Sequence, residues 1–341
     1  MKMREGCVRG WKYGVLGALA VMSIAAVGSD SAAAEKWNLA NAYGANTLHV
    51  EGNVVFAEAL AKATGKEIEV TVHSGGSLGF KSVDHFDAVG DGAVQIADTP
   101  GGFLGGIDPL MNLSSIPFLV KSVDEARVLL EIARPEYEKV FADNNQKLLY
   151  ASPWPASGIW AKVPVTDVEK LKGVKIRTFD PGGTTAFKNL GAAPIQLAWG
   201  DVVPQLATGG ISAVLTSAEG GVTQKFVEHT AYFTEINYAL PLNFVHMNAD
   251  VFGGLSPEQQ KAVLEAAKTA SDRNWQEVTG RTQRNYEKVK ADGGTVINTG
   301  TDTLLSDLSG AAEDVLKAWA EKVGPRGDAI LTEFRSKTSS N

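Results

Sequence analysis

Apolar and polar positions alternate with a period of two over residues 68–73. Over residues 48–64 they follow a helical period instead, and Gly65 ends that run. The same change of period recurs along the chain. Strand-like runs fall at 37–40, 94–97 and 148–150, and again at 174–176, 194–197, 213–215 and 244–247. Helical patterns lie between them, among them 123–131 and 135–144. Strands that alternate with helices predict an α/β fold of mainly parallel sheets with helices on both faces. The pattern holds no repeat, no heptad and no low-complexity tract.

One helical pattern is far longer than the rest. Ser256, Pro257, Glu258 and Gln259 form a capping box with proline at the first helical position. The pattern they open runs to about Ala291, where Asp292, Gly293 and Gly294 end it. At about 1.5 Å per residue this helix is roughly 50 Å long. That exceeds the width of either half of a chain this size, so the helix must lie across both.

The first 34 residues break the rhythm and read as an export signal. Lys2, Arg4, Arg9 and Lys12 precede an apolar stretch at 13–27, and Ala32, Ala33 and Ala34 complete a cleavage pattern before Glu35. Arg9 has no arginine neighbour, and Cys7 precedes the apolar stretch, so neither a twin-arginine signal nor a lipid-attachment site is indicated. Cleavage leaves enough chain for two domains. It also removes the single cysteine, and with it any disulfide or thiolate metal site. The 32 basic residues fall by four and the 39 acidic residues by two, so the formal charge moves from −7 to −9. Such a charge argues against nucleic acid or an anionic membrane surface as partner. The expectation is a soluble periplasmic protein without stable membrane insertion.

Enzyme motifs are weak. Gly75 to Gly79 with Ser77 matches the G-x-S-x-G elbow of serine hydrolases, but no oxyanion loop precedes it. A secreted hydrolase using Ser77 is therefore the lesser alternative, and a glycine turn on a cleft rim the better reading. Phe80 stands where a phosphate loop needs its second glycine. His49, His73, His85, His229 and His246 show no metal-ligand spacing, and Asp84, His85 and Asp87 are expected on a surface helix. No dinucleotide fingerprint follows any strand. No cofactor, metal or catalytic residue is expected.

Aromatic residues and one arginine carry more. Tyr43, Trp154, Trp160, Phe179 and Trp199 all stand at strand exits, where a cleft between domains would gather several of them. Arg177 follows the strand at 174–176, with a Pro-Gly-Gly turn and a helix behind it. Ligands of open α/β sheets collect beyond the carboxyl ends of strands. An arginine placed there can hold a carboxylate with two parallel N–H···O bonds.

The stretch KLKGVKIRTFDPGGTTAFKNLGAAPIQLAWGDVVPQLATGGISAVLTSAEGG resembles the solute-binding proteins of TRAP transporters, the DctP family. Its Leu171-Lys172-Gly173-Val174-Lys175-Ile176-Arg177 and Leu190-Gly191-Ala192-Ala193-Pro194 follow the family pattern. Ala63-Thr64-Gly65-Lys66, Gly76-Ser77-Leu78-Gly79 and Ile116-Pro117-Phe118-Leu119 also look like it. The resemblance implies a two-lobed periplasmic binding protein, type II-like, with the long helix spanning both lobes. The expected lobes are residues 35–154 with 242–280, and 155–241 with 281–341. It also implies that the protein is no enzyme but captures a small organic acid and delivers it to the small and large TRAP membrane subunits. Arg177 matches the family's carboxylate-pairing arginine. Trp199, Thr216, Asp98, Tyr43 and Asn46 fall near pocket positions, and Trp154, Phe179 and Asn243 complete the expected contacts. A sensor or scavenger of the same fold is an alternative. The chain departs from the family at Ile211 to Leu215, where members have V-D-G-x-E. It also lacks the second arginine that sialic-acid-binding members carry near Ser157. A monocarboxylate with an apolar or aromatic body is therefore the expected ligand, ahead of a dicarboxylate.

Overall fold

Local signals place most element ends. In the computed structural model, which describes residues 34–338, Thr47 caps the first helix by accepting from Val50 N, and Gly65 turns the chain at φ 58°. The expected export segment lies outside the described residues. The chain begins with β1 (Glu35–Asn41), α1 (Leu48–Ala63), β2 (Ile68–His73), α2 (His85–Gly90) and β3 (Ile96–Pro100). There follow α3 (Val123–Ala142), β4 (Gln146–Pro153), β5 (Ser157–Ala161), β6 (Lys175–Thr178), α4 (Pro181–Asn189) and β7 (Ala193–Gln196). Next come α5 (Val202–Thr208), β8 (Ala213–Ser217), α6 (Ala218–Thr223), β9 (Tyr232–Thr234) and β10 (Leu242–Asn248). The last are α7 (Ala249–Gly253), α8 (Pro257–Ala291), β11 (Thr295–Ile297), α9 (Asp302–Val323) and α10 (Pro325–Thr338).

The strands form two sheets, ordered β2-β1-β3-β10-β4 and β11-β9-β5-β8-β6-β7. The chain passes from the first sheet to the second between β4 and β5, and returns between β9 and β10. The strands at these crossings run against their neighbours, except that β9 is parallel to β11. β10 is antiparallel to β3 and β4, and β5 is antiparallel to β8 and β9. The sheets are thus mixed rather than mainly parallel. A strand entered from the other lobe needs no helical crossover, and nothing forces it to run parallel.

Apolar cores cover both faces of the first sheet. On one face α3 and α10 bury Tyr137, Phe141, Ile330 and Phe334 with Phe244 of β10. On the other, α1 and α8 bury Phe56, Leu60, Val263 and Ala267. Each such large side chain contributes roughly 1.5–3 kcal/mol on full burial. The second sheet packs on α4 and α9 through Phe187, Leu304 and Leu308.

The long helix is present as expected, 35 residues from Pro257 to Ala291, with both capping-box bonds made. Its first half packs on α1 and the first sheet. Its second half brings Tyr286 against Phe233 of the second, with ring centroids 5.8 Å apart. Close approach to α1 needs Gly52, because a Cβ there would lie 2.3 Å from Nδ2 of Asn274.

Three local expectations change. The patterns at 123–131 and 135–144 are one helix, α3, with Pro135 inside it. Pro135 and Glu131 are both exposed, so the carbonyl that loses its donor is on the wet side. Arg177 lies inside β6 rather than beyond it, paired with Ile195 of β7 and Val214 of β8. His85 opens α2 but is buried, while Asp84 and Asp87 are exposed. Its Nδ1 is 3.1 Å from Thr99 Oγ1, which is 2.8 Å from His246 Nε2.

Candidate functional site

β6 sits between β7 and β8, so the side chain of Arg177 emerges among main-chain groups of both neighbours. Nε and Nη2 donate to the Leu197 carbonyl at 3.1 and 3.0 Å, and Nη1 donates to the Leu215 carbonyl at 3.4 Å. The residue is 1% exposed. Its guanidinium lies 5.5 Å from the Trp199 ring and 5.9 Å from the Phe179 ring. No carboxylate is within ion-pair distance among the described residues. Burial lowers its pKa to about 10, with Tyr43 and Asp180 opposing through their fields. It stays a cation at neutral pH. Three of its N–H groups are engaged, which leaves one on each terminal nitrogen of the fork.

Tyr43 follows β1 and joins the two lobes' aromatics. Its ring is 4.7 Å from Trp154 and 5.4 Å from Trp199. His49 stacks behind Trp154 at 4.1 Å. These groups enclose a small cavity of about 30 Å³, lined by Tyr43, Trp154, Arg177, Phe179, Trp199 and Thr216. That is room for a water or two and not for an organic acid.

Six of the nine expected contact residues therefore meet at one place. The other three do not line the cavity. Asp98 and Asn243 stand behind it. Trp154 Nε1 donates to Asn243 Oδ1 at 2.7 Å, and Asn243 Nδ2 donates to Asp98 Oδ1 at 2.7 Å. Asp98 Oδ2 accepts from Asn53 at 2.9 Å and Asn41 at 3.1 Å, and Asn41 Oδ1 accepts from Tyr43 N at 2.8 Å. The carboxyl thus positions both Trp154 and Tyr43. Burial raises it to about 6, against the amide bonds from Asn53 and Asn243. Asn46 is exposed, and its carbonyl accepts from Arg281 Nη2 at 2.6 Å. Trp160 is buried under β5 with Phe226 and Phe233, its Nε1 donating to the Ser217 carbonyl.

Pro100, Gly102, Ser157, Ser217 and Pro241 also line the cavity and were not among the expected contacts. Pro100-Gly101-Gly102 after a strand was the available signal. A Cβ at Gly102 would lie 3.1 Å from both the Phe179 carbonyl and Asp180 Cβ, so a side chain there would push these segments apart by a few tenths of an ångström. Ser77 is exposed in its glycine turn, and no hydrogen bond joins it to a histidine among the described residues. Nearby, Lys81 reaches across to Asp201 at 3.0 Å. Deeper in, the buried Glu219 of α6 accepts from Leu48 N at 2.7 Å and from Arg281 Nε at 3.0 Å, while Arg281 Nη2 reaches Glu51 of α1 at 3.0 Å. Among the described residues, no group of histidine, cysteine and carboxylate side chains could hold a metal ion, and no helix is long and apolar enough to cross a membrane.

The family model for bacterial extracellular solute-binding protein, family 7, called DctP, matches residues 39–322. The ectoine-binding periplasmic protein TeaA of Halomonas elongata is 27% identical, with 90% of this chain and 91% of that protein covered. The 2,3-diketo-L-gulonate-binding periplasmic protein YiaO of Escherichia coli is 26% identical, with 92% and 95% covered. Among solved structures, the extracytoplasmic solute receptor DctP7 of Bordetella pertussis, which binds pyroglutamic acid, superposes with a TM-score of 0.86 at 28% identity. It covers 89% of this chain and 100% of its own.

Proposed function

The chain belongs to the bacterial extracellular solute-binding proteins of family 7, and from that premise we propose that Arg177 captures a small monocarboxylate between the two lobes. The carrying observation is a buried guanidinium with no carboxylate partner among the described residues and two N–H groups left on its fork. A buried charge without a partner is costly, and a ligand carboxylate supplies that partner in bidentate geometry.

The protein is a two-lobed solute-binding subunit, of a family that binds small molecules and works with membrane permeases. In our reading one lobe comprises residues 35–154 with 242–280 and the other 155–241 with 281–341, α10 reaching back from the second to brace α3 of the first. The lobes part, the acid reaches Arg177, and closure takes the ion pair out of water, where lower dielectric strengthens it. Closure is favoured to the extent that the ligand binds the closed form better. Tyr43, Trp154, Phe179 and Trp199 enclose the body of the ligand. The buried indole N–H of Trp199, which has no partner among the described residues, suits a ligand acceptor beside the carboxylate. Relatives at 28% and 29% identity that bind pyroglutamic acid support a compact cyclic acid of this kind. The loaded protein then docks on the small and large TRAP membrane subunits, after export to the periplasm by the segment before Glu35.

Calorimetry with small organic acids, pyroglutamate among them, tests the clamp. Arg177→Ala should lose binding while keeping its fold. Arg177→Lys should bind at least about tenfold more weakly, since an ammonium has no fork. An affinity unchanged in Arg177→Ala would overturn the proposal.

A further inference from the structure

The walls of the aromatic cavity come from different sheets. Tyr43 stands on the loop between β1 and α1, while Thr216 and Ser217 end β8 and Trp199 follows β7. Behind the rings, one ion cluster joins the segments that carry both walls, and the clamp makes no use of it. Its centre is the fully buried Glu219 of α6. Glu219 Oε1 accepts from Leu48 N of α1 at 2.7 Å and from Arg281 Nε of α8 at 3.0 Å.

Arg281 carries the cluster to the first wall. Its Nη2 donates to the Asn46 carbonyl at 2.6 Å and to Glu51 Oε1 at 3.0 Å, and its Nη1 donates to Glu51 Oε2 at 3.1 Å. With Nε on Glu219, all but one of its N–H groups are engaged. Arg273, two turns earlier on α8, also pairs with Glu51 and donates to the Leu48 carbonyl at 3.0 Å. The loop that presents Tyr43 is thus held at Asn46 and again at Leu48.

Glu219 reaches the second wall through its own short helix. α6 starts at the cavity, where Ser217 Oγ accepts from Gly220 N at 3.2 Å. The two residues after Glu219 are glycines, and an indole lies against each. A Cβ on Gly220 would lie 2.6 Å from Thr216 Oγ1 and 3.0 Å from the Trp199 ring, and one on Gly221 would overlap the Trp160 ring. α6 therefore has no slack between the two tryptophans. A shift of Glu219 moves the backbone on which Thr216 and Trp199 rest, and close-packed interiors transmit such strain.

We propose that Glu219 and Arg281 are positioning residues of the ligand cavity, setting the spacing between the Tyr43 wall and the Trp199–Thr216 wall and so the lifetime of a bound acid. The lifetime rests on the clamp reading above; the spacing rests on the ion cluster alone. A bridge that only stabilised the fold would shift melting and leave binding unmoved. Neither residue lines the cavity, so their loss should leave entry of the acid alone and hasten its escape.

Rapid-mixing kinetics of the full chain with pyroglutamate, at a temperature where every variant is folded, give the first readout. Glu219→Gln and Arg281→Gln should each raise the dissociation rate at least about fivefold, with association within about twofold of wild type. The double variant should do no more than either single one, because both lose the same interaction. The second readout needs no ligand. Cys7 is the only native cysteine. In a Cys7→Ser background, spin labels at Val54→Cys on α1 and Ile195→Cys on β7, both exposed sites, report the distance across the walls. Its distribution should broaden in Glu219→Gln and stay as in wild type in Arg177→Ala. Should Glu219→Gln fail to fold, Arg281→Lys serves instead, keeping the charge without the fork. Unchanged dissociation, additive effects in the double variant or an unchanged distance distribution would each overturn the proposal. Should wild type bind neither pyroglutamate nor any other small acid, the clamp reading falls, and the distance distribution alone decides the spacing.

Discussion

At the scale of single residues, Arg177 and Asp98 illustrate what a sequence reveals and what it hides. Arg177 announced itself by position, a cation at the end of a strand with a Pro-Gly-Gly turn behind it, although the strand in fact runs through it. Tyr43, Trp154, Phe179 and Trp199 were legible for the same reason, as aromatics at strand exits. Asp98 and Asn243 were placed in the cavity wall, and the structure sets them one layer behind it. Their partners lie 145 positions apart in the chain, and no local pattern encodes so distant a bond. Asn46 was legible as a loop residue, yet its contribution is a main-chain carbonyl, to which its side-chain identity is irrelevant. The Asp98 network makes its own prediction. All three of its side-chain partners present amide donors to the carboxylate. Asp98→Asn turns an amide donor toward them, and should cost about 1–3 kcal/mol in urea unfolding. It should also weaken carboxylate binding through Trp154 and Tyr43, without removing it. Unaltered stability would mean that the network tolerates a donor.

Elements were legible where caps and glycines mark them, as Ser256 and Gln259 do for α8. Their directions in the sheets were not, because the crossings after β4 and β9 are set by how the lobes sit together. The short strands β5, β9 and β11 were missed altogether. β5 follows Pro153 and Pro155, and the other two are three residues each, too short to show a period. Two bridges between elements differ sharply in kind. Lys81–Asp201 is exposed at both ends and should matter little, within about 1 kcal/mol. Glu219 is fully buried, accepts from the first turn of α1 and neutralises Arg281. Glu219→Ala should therefore lower stability by about 3 kcal/mol, while Lys81→Ala leaves the thermal midpoint almost unmoved. Equal effects in a melting experiment would contradict this ranking.

Across the whole molecule, buried titratable groups set the response to acid. Burial lowers His49 and His246 to about 3 and His85 to about 4. The unfolded chain protonates these rings below about 6.5, so they make stability fall as the pH falls from there. Burial raises Asp98 to about 6 and Asp180 to about 7. The folded form keeps those protons where unfolded carboxyls have released them, which favours the fold at low pH and acts in the opposite sense. Glu51 is lowered and Glu219 raised within one network, so they oppose each other. Near pH 5, three histidines against two aspartates leave about one proton's difference, or roughly 1.4 kcal/mol of stability lost per pH unit. Urea titrations from pH 6.5 to 4.5 should show that decline, and a flat profile would give the carboxyls the upper hand. The meeting of Tyr43 with Trp154 and Trp199 has a use beyond selectivity. Trp154 is held to β10 of the first sheet and Trp199 follows β7 of the second, so a parting of the lobes, as proposed, would separate two indoles that meet one phenol edge-on and tilted. The protein thus carries its own optical gauge. Ultraviolet emission can follow loading in real time without any dye, and a Trp154→Phe or Trp199→Phe variant would assign the signal to one wall.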